Sequence, residues 1–366
     1  MAFLVFLIIT LFIAVTQIVI PYLVKKTVIF GVTIPEQYMN DGAIKKLKKQ
    51  YAIAVALISI VLLTGYSVWS LTTEPQEEQM AIIGMLMEFG ILLISLSLYI
   101  YYHGKTKQLK IQHKWVEHLK QVKVTDLSVR KEDEMLPWYI YLLPIITTLG
   151  LMSYTIFNYD ILPQQIPTHW GPSGEPDAFT EKSPLSAIQH TLLLLIMQLM
   201  FLGVHVATKN SGIKLSASNL AASKNRQLTL RKYSSWFLFF VMLACTILMS
   251  FYQLTMIHPE FAVGSIKIIL PFAFLFIVLA GSLIFALKVG RSDKKIEGTI
   301  DEKIMEVDED QYWKGGMFYF NKNDPSIFVE KRFGVGWTIN FANPVGYLIV
   351  FVPLIIIIII SFVMGG

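Results

Sequence analysis

The sequence predicts an all-α, polytopic integral membrane protein of about eight transmembrane helices, with a small β-hairpin-like cytoplasmic element before the last. Three observations carry this. Hydrophobic residues make up 54% of the 366 and charged residues 16%, where a soluble domain holds about 25% charge. The apolar residues fall in blocks of about twenty, enough to cross about 30 Å of hydrocarbon at 1.5 Å per residue. Lysine and arginine are confined to alternate connections between those blocks.

The blocks run over Met1–Leu23, Tyr51–Leu71, Ala81–Tyr102, Pro137–Phe157, Leu185–Thr208, Ser235–Ile257, Ile268–Leu287 and Val345–Met364. The first lacks a basic leader and has no small-residue cleavage site before Lys25, so it reads as a retained span. The organisation that follows is a three-span region over 1–136 and a two-span unit over 137–208 that carries the loop 158–184. Spans six and seven fill 209–287, an acidic and then aromatic segment fills 288–344, and the last span is 345–366. A single cysteine, Cys245, lies mid-span, which excludes an intramolecular disulfide.

Of the 31 lysines and arginines, 29 lie in the connections 24–50, 103–136, 209–234 and 288–344. The other connections hold Lys182 and Lys267 alone. By the positive-inside rule the basic loops face the cytoplasm and both termini face outward. The net charge of +5 then orients helices and meets anionic lipid head groups; no groove-reading or aromatic RNA motif accompanies it, so no nucleic-acid partner is expected.

Two cytoplasmic stretches, 42–51 and 105–124, read as basic helices continuing a span along the membrane surface, with Leu109, Trp115, Leu119 and Val122 apolar in the second. His113, Glu117 and His118 have the wrong order and spacing for a zinc motif. In 312–344, alternation in "MFYFN" and "SIFVEKRF" around "NKNDP" predicts a β-hairpin, and its aromatic residues beside Lys331 and Arg332 suit the inner interface. Phosphate-binding, nucleophile-elbow and dinucleotide motifs are absent from the sequence. No enzyme activity, cofactor or metal is expected.

The segment "ILPQQIPTHWGPSGEPDAFTEKSP" (161–184) stands apart, with five prolines and two glycines among its residues. Proline fixes φ and lacks a donor, so the segment is neither helix nor central strand. "GPSG" and "EPD" read as turns. Pro163, Pro167 and their neighbours reduce the entropy lost on ordering, which suits a pre-organised surface. His169, Trp170, Gly174, Glu175 and Asp177 supply its recognition chemistry; a rigid cap with Trp170 at the interface is the plainer alternative.

Glu88 is the sole carboxylate at membrane depth, roughly 10 Å below the outer end of its span. Gln189, His190, Tyr66, Tyr154, Tyr252 and Gln253 also lie in outer halves, so a polar layer beneath the loop is expected if these faces converge. The alternative is that Glu88 only ties helices together. The inner halves read as mostly apolar, with His205 near enough to the inner interface to snorkel.

The pattern formed by Leu162, Pro163, Ile166, Pro167, His169, Trp170, Gly174, Pro176 and Asp177, followed by Lys182 to Pro184, resembles an uncharacterised bacterial membrane domain. That domain is found at the start of SdpI-type immunity proteins. The segment "YFNKNDPSIFVEKRFGVGWTINFANP" is similar to a second uncharacterised module that accompanies it, and "GVTIPEQY" (31–38) belongs with the same group. The second half typical of SdpI itself is not recognisable. The resemblance implies residence in a Gram-positive plasma membrane, immunity to a secreted peptide toxin, and signalling through a cytoplasmic regulator.

The function expected is therefore a plasma-membrane sensor or immunity-type protein. It would recognise an extracellular peptide or lipid-like ligand through the 161–184 loop and a polar layer around Glu88 and His190. The alternative is a transporter, or a subunit of one, with Glu88 in the pathway. The bilayer is the one partner either reading requires.

Overall fold

The computed structural model describes residues 2–365 apart from 123, 125–126, 172–173, 263 and 294–303. The chain begins with α1 (Ala2–Leu23), then a tight hairpin of β1 (Val28–Ile29) and β2 (Val32–Thr33). Next come α2 (Gly42–Thr73), α3 (Glu77–Gln112) and β3 (Lys120–Val122), followed by α4 (Leu142–Phe157). A hairpin of β4 (Gln165–Trp170) and β5 (Pro176–Glu181) precedes a single turn, α5 (Pro184–Ala187). Then follow α6 (Gln189–Asn210), α7 (Leu220–Ile257) and α8 (Ile266–Gly290). The last stretch holds β6 (Ile304–Glu306), β7 (Trp313–Lys314), β8 (Phe318–Tyr319), β9 (Phe328–Glu330) and β10 (Trp337–Ile339), and ends in α9 (Pro344–Gly365).

Among the described residues 8 helices are long and apolar enough to cross a membrane, and they fall on the eight predicted blocks. The chain is a multi-pass helical membrane protein. Its large apolar side chains point outward along α2, α3, α8 and α9, as a lipid-facing surface requires. Local signals start and stop the helices. Asp41 accepts from the Ala43 N–H at 2.7 Å to open α2. Glu74, with φ 43°, and Pro75 end it, and the side chains of Gln76 and Gln79 close a capping box on α3.

Helices α1, α2 and α3 pack on one another; α4, α6 and α7 form a second group, with α8 against α7 and α9 against α6. Helix α1 also meets α8. The β4–β5 hairpin marks one end of the molecule, and the basic connections gather at the other. Phe6 of α1 and the far end of α9 both reach the hairpin end.

Three expectations change in detail. Residues 42–51 form the first turns of α2, and 105–112 the last turns of α3, so these basic stretches prolong the spans. Beyond them the chain turns and enters β3, which pairs with β6 in parallel, while Trp115 is buried and stacks on Tyr38 at 5.2 Å. "NKNDP" is not the hairpin turn. Instead β7 pairs with β8 across Gly315 and Gly316, and β9 pairs with β10 across Gly334 and Gly336. All four glycines have positive φ, which non-glycine residues reach only with strain. Asn321 and Asp324 instead bond the "NKNDP" backbone into a compact bend. Finally, "EPD" opens strand β5 and is not a turn.

Candidate functional site

The proline-rich segment forms a two-stranded hairpin, in which both strands are edges, so Pro167 sits opposite Phe179 without breaking a central ladder. Leu162 and Ile166 are buried against Ala187, Met256 and Ile257 and fix its base on α5 and α7. Lys182 Nζ donates to the carbonyls of Asp160 (3.2 Å) and Leu162 (3.0 Å) and lies 4.8 Å above the Tyr159 ring. Ser183 and Ser186 cap each other's backbone, with Pro184 at the first helical position.

At the tip, the Gly171 N–H donates to the Glu175 carbonyl and the Gly174 N–H to the Gly171 carbonyl, each at 2.9 Å. Gly174 has φ +76°, and a Cβ there would lie 3.0 Å from the Lys267 carbonyl. Two constraints therefore select glycine at this position. Glu175 forms an ion pair with Lys267 Nζ, fastening the tip to α8. His169 Nδ1 shares a 2.5 Å hydrogen bond with Asp177 Oδ1, and both side chains are exposed. Trp170 turns inward, with its ring 4.3 Å from Tyr252 and 5.1 Å from His190, centre to centre.

Beneath the hairpin lies a cavity of about 640 Å³. His169, Trp170, Gly171, Gly174 and Asp177 form its roof. Its floor is apolar, from Val5 and Phe6 of α1, Ala81 of α3, and Ile268, Pro271, Phe272 and Leu275 of α8. Glu77 and Glu78, in the first turn of α3, and Lys267 stand at the edge. Gly84 lets Phe6 pack close, since a Cβ there would lie 2.6 Å from its ring. An apolar pocket with a few convergent polar groups is the usual form of a small-ligand site.

Of the residues picked from sequence, His169, Trp170, Gly174 and Asp177 converge here. Glu175 turns away to Lys267, His190 backs the Trp170 ring, Pro167 is half-buried in β4, and Pro163 is exposed near the hairpin's foot. Glu88 does not join them. It accepts from Thr10 Oγ1 at 3.3 Å, between α3 and α1, and does not line the cavity. Among the described residues no hydrogen bond links Glu88 and Tyr66, in the first helix group, to Gln253 and Tyr154, in the second, although Tyr252 of α7 reaches the cavity. Tyr66 donates to the Met80 carbonyl within the first; Gln253 donates to Thr155 Oγ1 and the Ala187 carbonyl within the second. Tyr154 pairs with His258 Nε2 at 2.7 Å.

The middle of the bundle is also more polar than the sequence suggested. Gln198 Nε2 donates to Thr148 Oγ1, Thr246 Oγ1 and the Pro144 carbonyl, joining α6, α4 and α7 in the bundle centre. His205 does not snorkel; it is buried and stacks on Tyr141 at 4.5 Å. Sequence reading missed Glu77, Glu78, Lys267 and the aromatic floor. One signal was present: Lys267 is one of only two basic residues on its side, and Glu77 and Glu78 open a span.

The basic end is built from buried ion pairs. Arg226, 1% exposed, donates through Nε to Glu330 Oε1 at 2.6 Å and also meets Asp293 Oδ1 at 3.3 Å. Arg231, also 1% exposed, holds Asp133 Oδ2 and the carbonyls of Thr208 and Lys209. Asp310 accepts from Arg332 Nη1 (2.5 Å), Lys110 Nζ (2.7 Å) and the backbone and hydroxyl of Thr33. Burial pushes the Asp310 carboxyl up, but Arg332 and Lys110 outweigh it and hold the group well below the usual range. Burial likewise raises Asp324, and Lys214 at 2.9 Å overcomes it to leave a value of about 2.

These contacts bring "GVTIPEQY" onto the C-terminal strands. Arg332 Nη1 donates to the Gly31 carbonyl at 2.8 Å. Gly31 and Gly316 approach so closely that a Cβ on Gly31 would lie 2.4 Å from the Gly316 Cα.

Two family models match the chain. One is a domain of unknown function (DUF1648) over residues 145–194, which takes in most of α4, the hairpin and the start of α6. The other is a family of unknown function (DUF5808) over residues 322–347, from the "NKNDP" bend to the start of α9. Together they cover well under half of the chain. No curated protein and no solved structure matches it. The chain thus carries two recognised segments of unknown function: one bears the hairpin that roofs the cavity, and the other lies at the opposite end.

Proposed function

We propose that this protein is a bacterial plasma-membrane receptor of sensor or immunity type, acting by recognition and not by catalysis. The hairpin end faces outward, and the cavity under it takes an extracellular peptide or lipid-like ligand. The observation that carries the reading is the cavity of about 640 Å³, with an aromatic and apolar interior and an ionic edge, roofed by His169, Trp170 and Asp177. The placement of nearly all lysines and arginines at the other end supports the orientation. The matched domain over residues 145–194 is of unknown function, so the immunity role and the cytoplasmic regulator at the basic end rest on the resemblance of the 162–184 pattern to SdpI-type proteins. Transport past Glu88 has no comparable support, since Glu88 is bonded to Thr10 outside the cavity.

Ala81 lies on the cavity wall, and Ala81→Trp fills the space while leaving the hairpin's own bonds in place. Cells producing the native protein should survive membrane-active peptides secreted by neighbouring bacteria better than cells without it. Ala81→Trp, present in the membrane at equal abundance, should lose that protection. Equal protection by the filled variant, or none from the native protein, overturns the proposal.

A further inference from the structure

A second, smaller pocket lies at the basic end, and we infer that it binds a phosphate group, supplied by an anionic lipid at headgroup depth. His103 and Lys107 of α3, Asp310, and Trp313 and Lys314 of β7 form most of its wall. Its volume is about 220 Å³, below the roughly 300–1,000 Å³ of sites for drug-sized ligands. It therefore suits one charged group with its adjoining atoms. The inference is separate from the receptor reading and does not depend on the cavity under the hairpin.

The wall carries donors that lack an acceptor. Trp313 is 5% exposed, and its Nε1–H is buried without a hydrogen bond among the described residues. An indole can only donate, and a buried donor left unmade is costly, so an acceptor belongs there. Lys107 makes no ion pair or hydrogen bond among the described residues. Lys314 Nζ donates to the Gln311 carbonyl at 3.2 Å, which leaves its charge unmatched. Asp310 does not reverse this balance: Asp308 and Asp310 are already matched by Lys110 and Arg332. His103 is fixed beside them, with Nδ1 donating to the Phe30 carbonyl at 2.7 Å. A phosphate offers oxygens to two ammonium groups and the indole at once, in charge-assisted hydrogen bonds.

Depth identifies the source. His103 directly follows Tyr102, the last residue of its apolar block, and Lys107 lies one turn further, about 6 Å at 1.5 Å per residue. Close by, Tyr101 is exposed and the Lys105 ammonium stands 4.7 Å above its ring, an arrangement suited to the membrane–water interface. Lipid headgroups concentrate phosphate at that level. An anionic lipid such as phosphatidylglycerol brings it without the choline cation that two lysines repel.

The test uses the full-length protein in a neutral detergent, titrated with phosphatidylglycerol, phosphatidylcholine or inorganic phosphate, with bound species read by native mass spectrometry. Phosphatidylglycerol should bind about tenfold more tightly than either of the others. Lys107→Gln/Lys314→Gln should weaken it about tenfold. Trp313→Phe keeps the ring, removes the N–H, and should weaken it about threefold. Lys45→Gln/Lys46→Gln removes two exposed lysines outside the pocket and should change binding less than about twofold. Elution volume and thermal stability verify the fold, and if Trp313→Phe does not fold the two lysine pairs decide alone.

Native-like binding by Lys107→Gln/Lys314→Gln, or by folded Trp313→Phe, overturns the site. Equal losses from the two lysine pairs also overturn it, since general surface charge then explains the attraction. If inorganic phosphate binds as tightly as phosphatidylglycerol through Lys107 and Lys314, the phosphate site stands and a lipid as its source is overturned. None of these outcomes bears on survival of the Ala81→Trp cells, which decides the receptor reading separately.

Discussion

The two ends of the molecule use charge in opposite ways. At the basic end, Arg226, Arg231, Lys110 and Arg332 are drawn into the protein and matched with Glu330, Asp133, Asp308 and Asp310. At the hairpin end the charged groups stay at the surface: His169 and Asp177 are both exposed, and the Glu175 side chain paired with Lys267 is 62% exposed. Desolvated charges hold a structure when their partners are present and disrupt it when one is removed. Surface charges contribute little to folding and remain presented to a ligand. The basic end is thus a fastening, and the hairpin end a presented surface over a cavity.

The fastening also explains part of the lysine and arginine excess. Several of the 29 residues are structural partners of carboxylates, whatever part the others play in orienting the chain. Through Asp310, the three-helix group is tied to the C-terminal strands, because Lys110 comes from α3 and Arg332 follows β9.

The largest expected contrast comes from truncating one buried partner. Arg226→Ala leaves Glu330 and Asp293 without their cation and should cost about 3–5 kcal/mol, a large fraction of the roughly 5–15 kcal/mol that holds a typical domain. The folded yield, read by size exclusion of detergent-solubilised protein, should collapse. Yield close to native would show that the basic end is not the fastening.

Acid should act on the same end. Asp324 has its folded value at about 2, below the ordinary 3.8, and Asp310 is displaced in the same direction. A depressed carboxylate contributes stability that is present above its unfolded value and lost as pH falls through the folded one. Thermal stability should therefore be insensitive to these groups from pH 5 to 8 and fall between about 4 and 2. Asp324→Asn should flatten that fall. An identical acid profile in the variant would contradict the assignment.

The smallest effect belongs to the hairpin end. Lys267→Ala breaks an exposed pair and should change stability by about 1 kcal/mol or less. A loss as large as that of Arg226→Ala would erase the distinction between the ends.

Much of this was legible in the sequence, for physical reasons that differ by element. Hydrocarbon imposes a length and polarity that no neighbour can override, so all eight spans are readable. The proline segment was readable as ordered and specially shaped, but its strands were hidden. A two-stranded hairpin has no central strand for proline to disrupt, and its pairing depends on glycines at 171 and 174. The roof of the cavity, His169, Trp170 and Asp177, was found because polar and aromatic residues between prolines are conspicuous. Its floor was not, because Phe6, Phe272 and Leu275 look like any lipid-facing side chain until α1 and α8 meet. Glu88 was marked by its rarity at membrane depth, but sequence alone did not show which helix it meets; its bond to Thr10 of α1 fits the alternative in which it ties helices together. Buried Arg226 and Arg231 were hidden inside a basic loop, since sequence does not separate a cation that meets lipid from one that meets a carboxylate.

A receptor for extracellular ligands requires the hairpin end to face outward, and cysteine labelling measures that directly. Phe179, 50% exposed on β5, and Asn323, exposed in the "NKNDP" bend, mark the two ends, while the native Cys245 is buried. A membrane-impermeant maleimide applied to intact cells should label Phe179→Cys, and should label Asn323→Cys only after permeabilisation. Labelling of Asn323→Cys in intact cells, with Phe179→Cys protected, would place the cavity in the cytoplasm and contradict a receptor for extracellular ligands.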